Sequence, residues 1–190
     1  MRNDWKLICK EIERIRSQKG HVEISENLFA HLVAGEDHRF WFHLGFDPIG
    51  LLRAFWCSKF KKTRQGGSTI AMQLVRTLTS NYEFTLSRKV KEILIAIMLT
   101  YSYERDEILK IYLLVAYFGW NMHGIEQTCK KLNLKIDKLN DHQSASVIAR
   151  LKYPEPRFFD NNKSKLISLR ANHILNRYHK LNFKGQHGTI

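Results

Sequence analysis

Glu36-Asp37-His38-Arg39-Phe40-Trp41-Phe42-His43-Leu44-Gly45 sets two adjacent carboxylates among aromatic side chains and closes on a glycine. A carboxylate beside large apolar surface is a candidate general base, because desolvation penalises its charged form. Upstream, residues 26 to 35 carry helical spacing, which puts Glu36 near the C-terminal end of a helix. Downstream, Asp47-Pro48 marks a turn or helix start, with Pro48 suited to the first helical position. Residues 49 to 60 then read as a mostly apolar helix with Leu51, Leu52, Phe55, Trp56 and Phe60. His38 and His43 are a conceivable metal pair, but without a third ligand at usable spacing structural hydrogen bonding is the better reading.

Two further segments carry chemistry. Gln65-Gly66-Gly67-Ser68-Thr69-Ile70-Ala71-Met72-Gln73 places paired glycines ahead of a helix, where backbone N–H groups can meet a ligand. Ser68 and Thr69 could equally cap that helix. The segment is not a P-loop, because the Lys-Ser/Thr ending is missing. In Arg88-Lys89-Val90-Lys91-Glu92, Arg88 and Glu92 stand one helical turn apart, as an ordinary surface ion pair would. Three basic residues in a first turn oppose the helix dipole, and an anionic ligand there would reverse the penalty.

A fourth segment runs from Arg105 to Leu114 and is followed by Tyr117-Phe118-Gly119. Taken in order, the four resemble the signatures of the peptidoglycan glycosyltransferases, the glycan-polymerising domains of bifunctional penicillin-binding proteins and their monofunctional relatives. Gly124-Ile125-Glu126 and Arg170-Ala171-Asn172-His173-Ile174-Leu175 continue the family order. Four positions depart from it: Ala71 stands for threonine, Thr100 and Lys110 for glutamate, and Leu114 for asparagine. Thr100, Lys110 and Leu114 are expected to be structural positions.

The resemblance implies a mainly α, lysozyme-like helical domain. It implies lipid II and a lipid-linked glycan strand as substrates, joined β-1,4 with release of undecaprenyl pyrophosphate. Glu36 would be the general base and Glu92 the second essential carboxylate, acting directly or through a divalent cation (Mg or Mn). Substrate binding would fall to Asp37, Phe40 and His43 in the first signature, and to Gly67, Ser68, Thr69 and Gln73 in the second. Arg76, Arg88 and Lys89 would face the pyrophosphate. The expectation is that Glu36 and the basic helix start share one cleft. The family works at the periplasmic, outer face of the cytoplasmic membrane, and its region between the first two signatures touches lipid. The departures motivate a second reading, a catalytically weak relative that binds lipid II or other cell-wall precursors as a regulator. A lysozyme-like hydrolase would share fold and glutamate without needing the basic site.

Composition bounds the rest. The chain has 190 residues, suited to one domain with short tails, and a hydrophobic fraction of 44% that argues for a packed globule. Its net charge of +13 favours anionic partners: nucleic acid, acidic membrane or phosphate-bearing substrates. No nucleic-acid motif accompanies the charge, so no nucleic-acid partner is expected. The basic residues cluster locally at Lys59, Lys61, Lys62 and Arg64, and the run from Lys61 to Gly67 is read as a basic loop. Cys9, Cys57 and Cys129 have neither disulfide nor zinc spacing and read as inert thiols. The N-terminus lacks a signal-peptide pattern, and no apolar run reaches the roughly 18 residues of a spanning helix, Ile93 to Leu99 coming nearest.

Three regions are expected. An amphipathic helix occupies residues 1 to 24, with Trp5, Ile8, Ile12 and Ile15 either packed on the domain or laid on a membrane. The glycosyltransferase domain covers 25 to 180, and 181 to 190 form a loose tail. Within the domain, further helices are expected from Ser68, over 87 to 101, over 104 to 118, over 141 to 151 and over 163 to 180. Convincing strands are absent.

Overall fold

A computed structural model describes residues 1–60, 66–83 and 85–186. Lys61, Lys62, Arg64 and Gln65, with most of the expected basic loop, lie outside the described residues. The fold is mainly α: α1 (Arg2–Lys19), α2 (Glu26–Glu36), α3 (Pro48–Phe60), α4 (Ile70–Thr79), α5 (Leu86–Ser102), α6 (Arg105–Val115), α7 (Gly124–Lys131), α8 (Asp141–Lys152) and α9 (Asn161–Gln186). A small antiparallel hairpin of β1 (Tyr117–Gly119) and β2 (Met122–His123) precedes α7. The chain forms two compact units, Met1–Ser17 with Arg39–Tyr112, and Gln18–His38 with the chain from Leu113.

In the first unit, α1 buries Ile8, Ile12 and Ile15, so its apolar stripe is packed and not free for a lipid surface. Trp5 meets Tyr103 edge-on at 6.4 Å, and Arg16 pairs with Glu107 while lying over the Tyr103 ring. Helix α4 starts at Thr69, whose Oγ1 accepts from Met72 N at 3.2 Å, and ends at Ser80 in a left-handed conformation. Thr85 caps α5 in the same way, through Arg88 N at 3.2 Å.

In the second unit, α2, α8 and α9 pack on one another around Leu28, Leu32, Val147, Ile148 and Ile174. A capping box at Asn140 and Gln143 starts α8.

The structure corrects the sequence reading at three places. Helix α6 stops at Val115, short of the expected Phe118, because Tyr117 pairs with His123 and Gly119 bridges to Glu155. Helix α9 runs to Gln186, so residues 181 to 186 continue a helix where a loose tail was expected. The short helix α7 had no counterpart among the expected elements.

Candidate active site

Glu36 is the last residue of α2, where the backbone leaves carbonyls without helical partners. Arginines from α9 meet that end: Arg170 Nη2 donates to Gly35 O at 2.6 Å and Arg177 Nη1 to Ala34 O at 3.4 Å. The same Arg170 nitrogen donates to Glu36 Oε1 at 3.1 Å, and both side chains are 14% exposed. One guanidinium therefore finishes the helix and fixes the carboxylate. The sequence reading placed Arg170 in the family order but gave it no role. Asp37 is buried beside this end, its N–H bonded to Val33 O at 3.0 Å.

The first unit gathers the second and third signatures. Glu92, on α5, is 3% exposed and takes hydrogen bonds on both oxygens. Arg76 donates to Oε1 at 2.8 Å and Oε2 at 3.2 Å, Lys89 to Oε1 at 3.2 Å, and Arg88 to Oε2. Ser68 Oγ accepts from Lys89 Nζ at 3.0 Å and Arg76 Nη2 at 3.2 Å. This is a buried cluster, not the surface ion pair that the spacing alone allowed. Three cations face one carboxylate, so positive charge is in excess. Burial alone would push the Glu92 carboxyl up; the hydrogen bond from Arg76 and the charges of Lys89 and Arg76 outweigh it and hold it below the usual range. Burial lowers the Lys89 ammonium below its ordinary value despite Glu92, and Arg76 and Arg88 push the same way. An open cleft beside the cluster is lined by Arg76, Asn81, Arg88, Lys91 and Glu92.

The remaining expected site residues do positional work. Phe40 is buried and meets Trp41 and His43 edge-on. Arg105 lies over its ring and donates to the carbonyls of Phe40 and His43, the latter at 2.6 Å. Thr69 Oγ1 donates to Gly45 O at 2.7 Å, which ties the second signature to the end of the first. Gly45 has φ +80°, and a Cβ there would stand 2.2 Å from Ala96 O, so only glycine fits the turn. Gln73 Oε1 accepts from Tyr112 Oη at 2.6 Å, and Gly67 lets the chain pass close to Ala54 and Leu51. The four departures sit as follows. Ala71 and Leu114 are buried, Thr100 Oγ1 donates to Ala96 O at 2.9 Å, and Lys110 is half-buried.

A divalent cation finds no protein cage here. The lone pairs of Glu92 are taken by three cationic side chains, and among the described residues no group of three His, Cys, Asp or Glu could hold a metal ion. Among the same residues no helix is long and apolar enough to cross a membrane.

The structure thus holds a carboxylate clamped at a helix end and a basic cluster around a second carboxylate. The family described as Transglycosylase matches residues 7–179, and the chain belongs to that family. It is 34% identical over 158 residues to the biosynthetic peptidoglycan transglycosylase of Thiobacillus denitrificans, covering 82% of this chain and 67% of that one. To the monofunctional glycosyltransferase of Staphylococcus saprophyticus it is 33% identical over 130 residues, 64% of this chain and 48% of the relative. With penicillin-binding protein 1A of Aquifex aeolicus it shares 38% identity over 105 residues, 55% of this chain but 14% of the relative's length.

Proposed function

We propose that this chain is a peptidoglycan glycosyltransferase that polymerises lipid II into β-1,4-linked glycan strands. Glu36 takes the proton from the acceptor's sugar hydroxyl as that oxygen attacks the anomeric carbon of the lipid-linked strand. The bond from that carbon to pyrophosphate breaks, the α linkage inverts to β, and undecaprenyl pyrophosphate leaves. Arg76, Arg88 and Lys89 stabilise the departing charge, and Glu92 holds the three in place. Inversion by a base-activated nucleophile follows the logic of inverting glycosidases, with a sugar hydroxyl replacing water. Glu92, whose oxygens already take hydrogen bonds from three cationic side chains, would not hold a divalent cation (Mg or Mn); one bound by the substrate would supply charge neutralisation at the pyrophosphate.

The observation that carries the reading is the excess of cations over carboxylate around Glu92. A structural ion pair needs one cation; the others suit a second anion. The membrane partner is supported by the exposed apolar residues Trp41, Phe42, Leu44, Ile49, Leu52 and Trp56, among which Phe42 is 83% exposed. They suit a lipid surface, and we place the chain at the outer face of the cytoplasmic membrane, where this substrate is polymerised.

Arg88→Ala should weaken binding of a lipid-linked pyrophosphate about tenfold or more, the scale of a hydrogen bond between charged groups. Titration of labelled lipid II against parent and variant reads this. Equal affinities would reduce the basic cluster to a structural feature.

A further inference from the structure

Two stretches of exposed apolar surface differ in kind. Between Trp41 and Trp56 the surface mixes leucine and isoleucine with aromatics. On the β1–β2 hairpin and the segment from 153 to 160 of the second unit, the exposed large apolar residues are all aromatic: Tyr117, Trp120, Phe158 and Phe159, the last 88% exposed. Arg157 lies over two of these rings, 4.9 Å from the centroid of Trp120 and 5.1 Å from that of Phe158. No hydrogen bond or ion pair engages its guanidinium among the described residues. The neighbouring carboxylates are committed elsewhere: Glu155 to Arg150 at 2.7 Å, and Asp160 to the backbone N–H groups of Asn162 and Lys163 at the start of α9.

This platform is fixed. Trp120 N donates to Glu155 O at 2.8 Å, and Trp120 O accepts from Lys131 Nζ. Gly119, at φ +146°, lets the hairpin lie against Glu155, whose N would stand 2.4 Å from a Cβ at this position. A guanidinium held over aromatic faces with its N–H groups unengaged can take a carboxylate with two parallel hydrogen bonds. Flat aromatic faces beside it pack on the C–H faces of pyranose rings. An acyl-chain surface needs neither the pinned backbone nor an aligned guanidinium, and it is served as well by aliphatic side chains, which this platform lacks.

We infer that Trp120, Arg157 and Phe158 form a subsite for a glycan strand bearing carboxylates, which under the proposed function is the polymerised product with its peptide stems. The inference rests on that reading for the identity of the strand. The ring faces hold sugar units and Arg157 takes a stem carboxylate, so the growing strand stays on the protein between additions.

The test uses the full chain and soluble, uncross-linked peptidoglycan strands, with and without their peptide stems, alongside vesicles of phosphatidylglycerol. Trp120→Ala and Arg157→Ala should each weaken strand binding about tenfold while the unfolding midpoint stays at the parent value. Arg157→Lys, which keeps the charge but loses the planar fork, should not restore it. Removing the stems should cost the parent as much as Arg157→Ala does, with no further loss in that variant. Unchanged strand affinity in both alanine variants would overturn the inference. So would Phe158→Ser lowering vesicle binding while strand affinity held, since the patch would then be a lipid contact. Binding is read without turnover, so a parent chain unable to polymerise lipid II would refute the proposed function while this test still decides the subsite.

Discussion

At the scale of single residues, the Glu92 cluster separates what neighbours do from what composition says. Glu92 stays charged at neutral pH because its cationic partners outweigh the cost of burial. Lys89, in the same cluster, is pushed below its ordinary value, since burial and two arginines together outweigh one carboxylate. If Lys89 must be protonated to hold pyrophosphate, affinity is full below its lowered pKa and is lost as pH rises through it, before the usual lysine value of about 10.4 is reached. Titrating labelled lipid II at rising pH should show this fall in the parent and a flatter profile in Lys89→Arg, which stays protonated. Matching profiles would take Lys89 out of the anion site. The acidic and basic site residues were legible because each stands in a short local pattern. Arg170 was not, because its contact with Glu36 joins residues 134 positions apart and nothing near either one announces it.

Helices were readable where their apolar positions repeat. The stripe of Ile8, Ile12 and Ile15 gave α1, and Pro48 marked the start of α3. The end of α6 was not readable, because Tyr117 and Phe118 prolong its apolar pattern. Pairing with His123 across the hairpin and the bridge to the remote Glu155 prevail over that local preference. Short elements such as β2 and α7 carry too few residues to show a period. Caps matter at this scale because α5 presents Arg88 and Lys89 in its opening turn. Thr85→Ala should cost about 1 kcal/mol through the lost bond to Arg88 N, and Thr85→Ser should recover most of it. Chemical unfolding midpoints would show the difference; a Thr85→Ala chain as stable as the parent would mean that the cap is idle.

For the whole molecule, the chain passes from the first compact unit to the second within α1, returns after His38, and crosses again within α6. The family match spans both units, and the residues used by the proposed reaction divide between them: Glu36 with Arg170 in one, Glu92 with Arg76, Arg88 and Lys89 in the other. The sequence reading expected one domain because its few prolines and glycines leave little material for a long linker, and two of the crossings fall within helices. The charge of +13 now has a chemical use in the proposed function, attraction of pyrophosphate and of an acidic membrane.

The most direct measurement is the rate at which purified chain converts labelled lipid II into polymer, with Glu36→Gln run beside it. The account predicts strand synthesis by the parent and a loss of about 10²-fold or more in the variant, the scale of a removed general base. A Glu36→Gln chain that polymerises lipid II at the parent rate would contradict it.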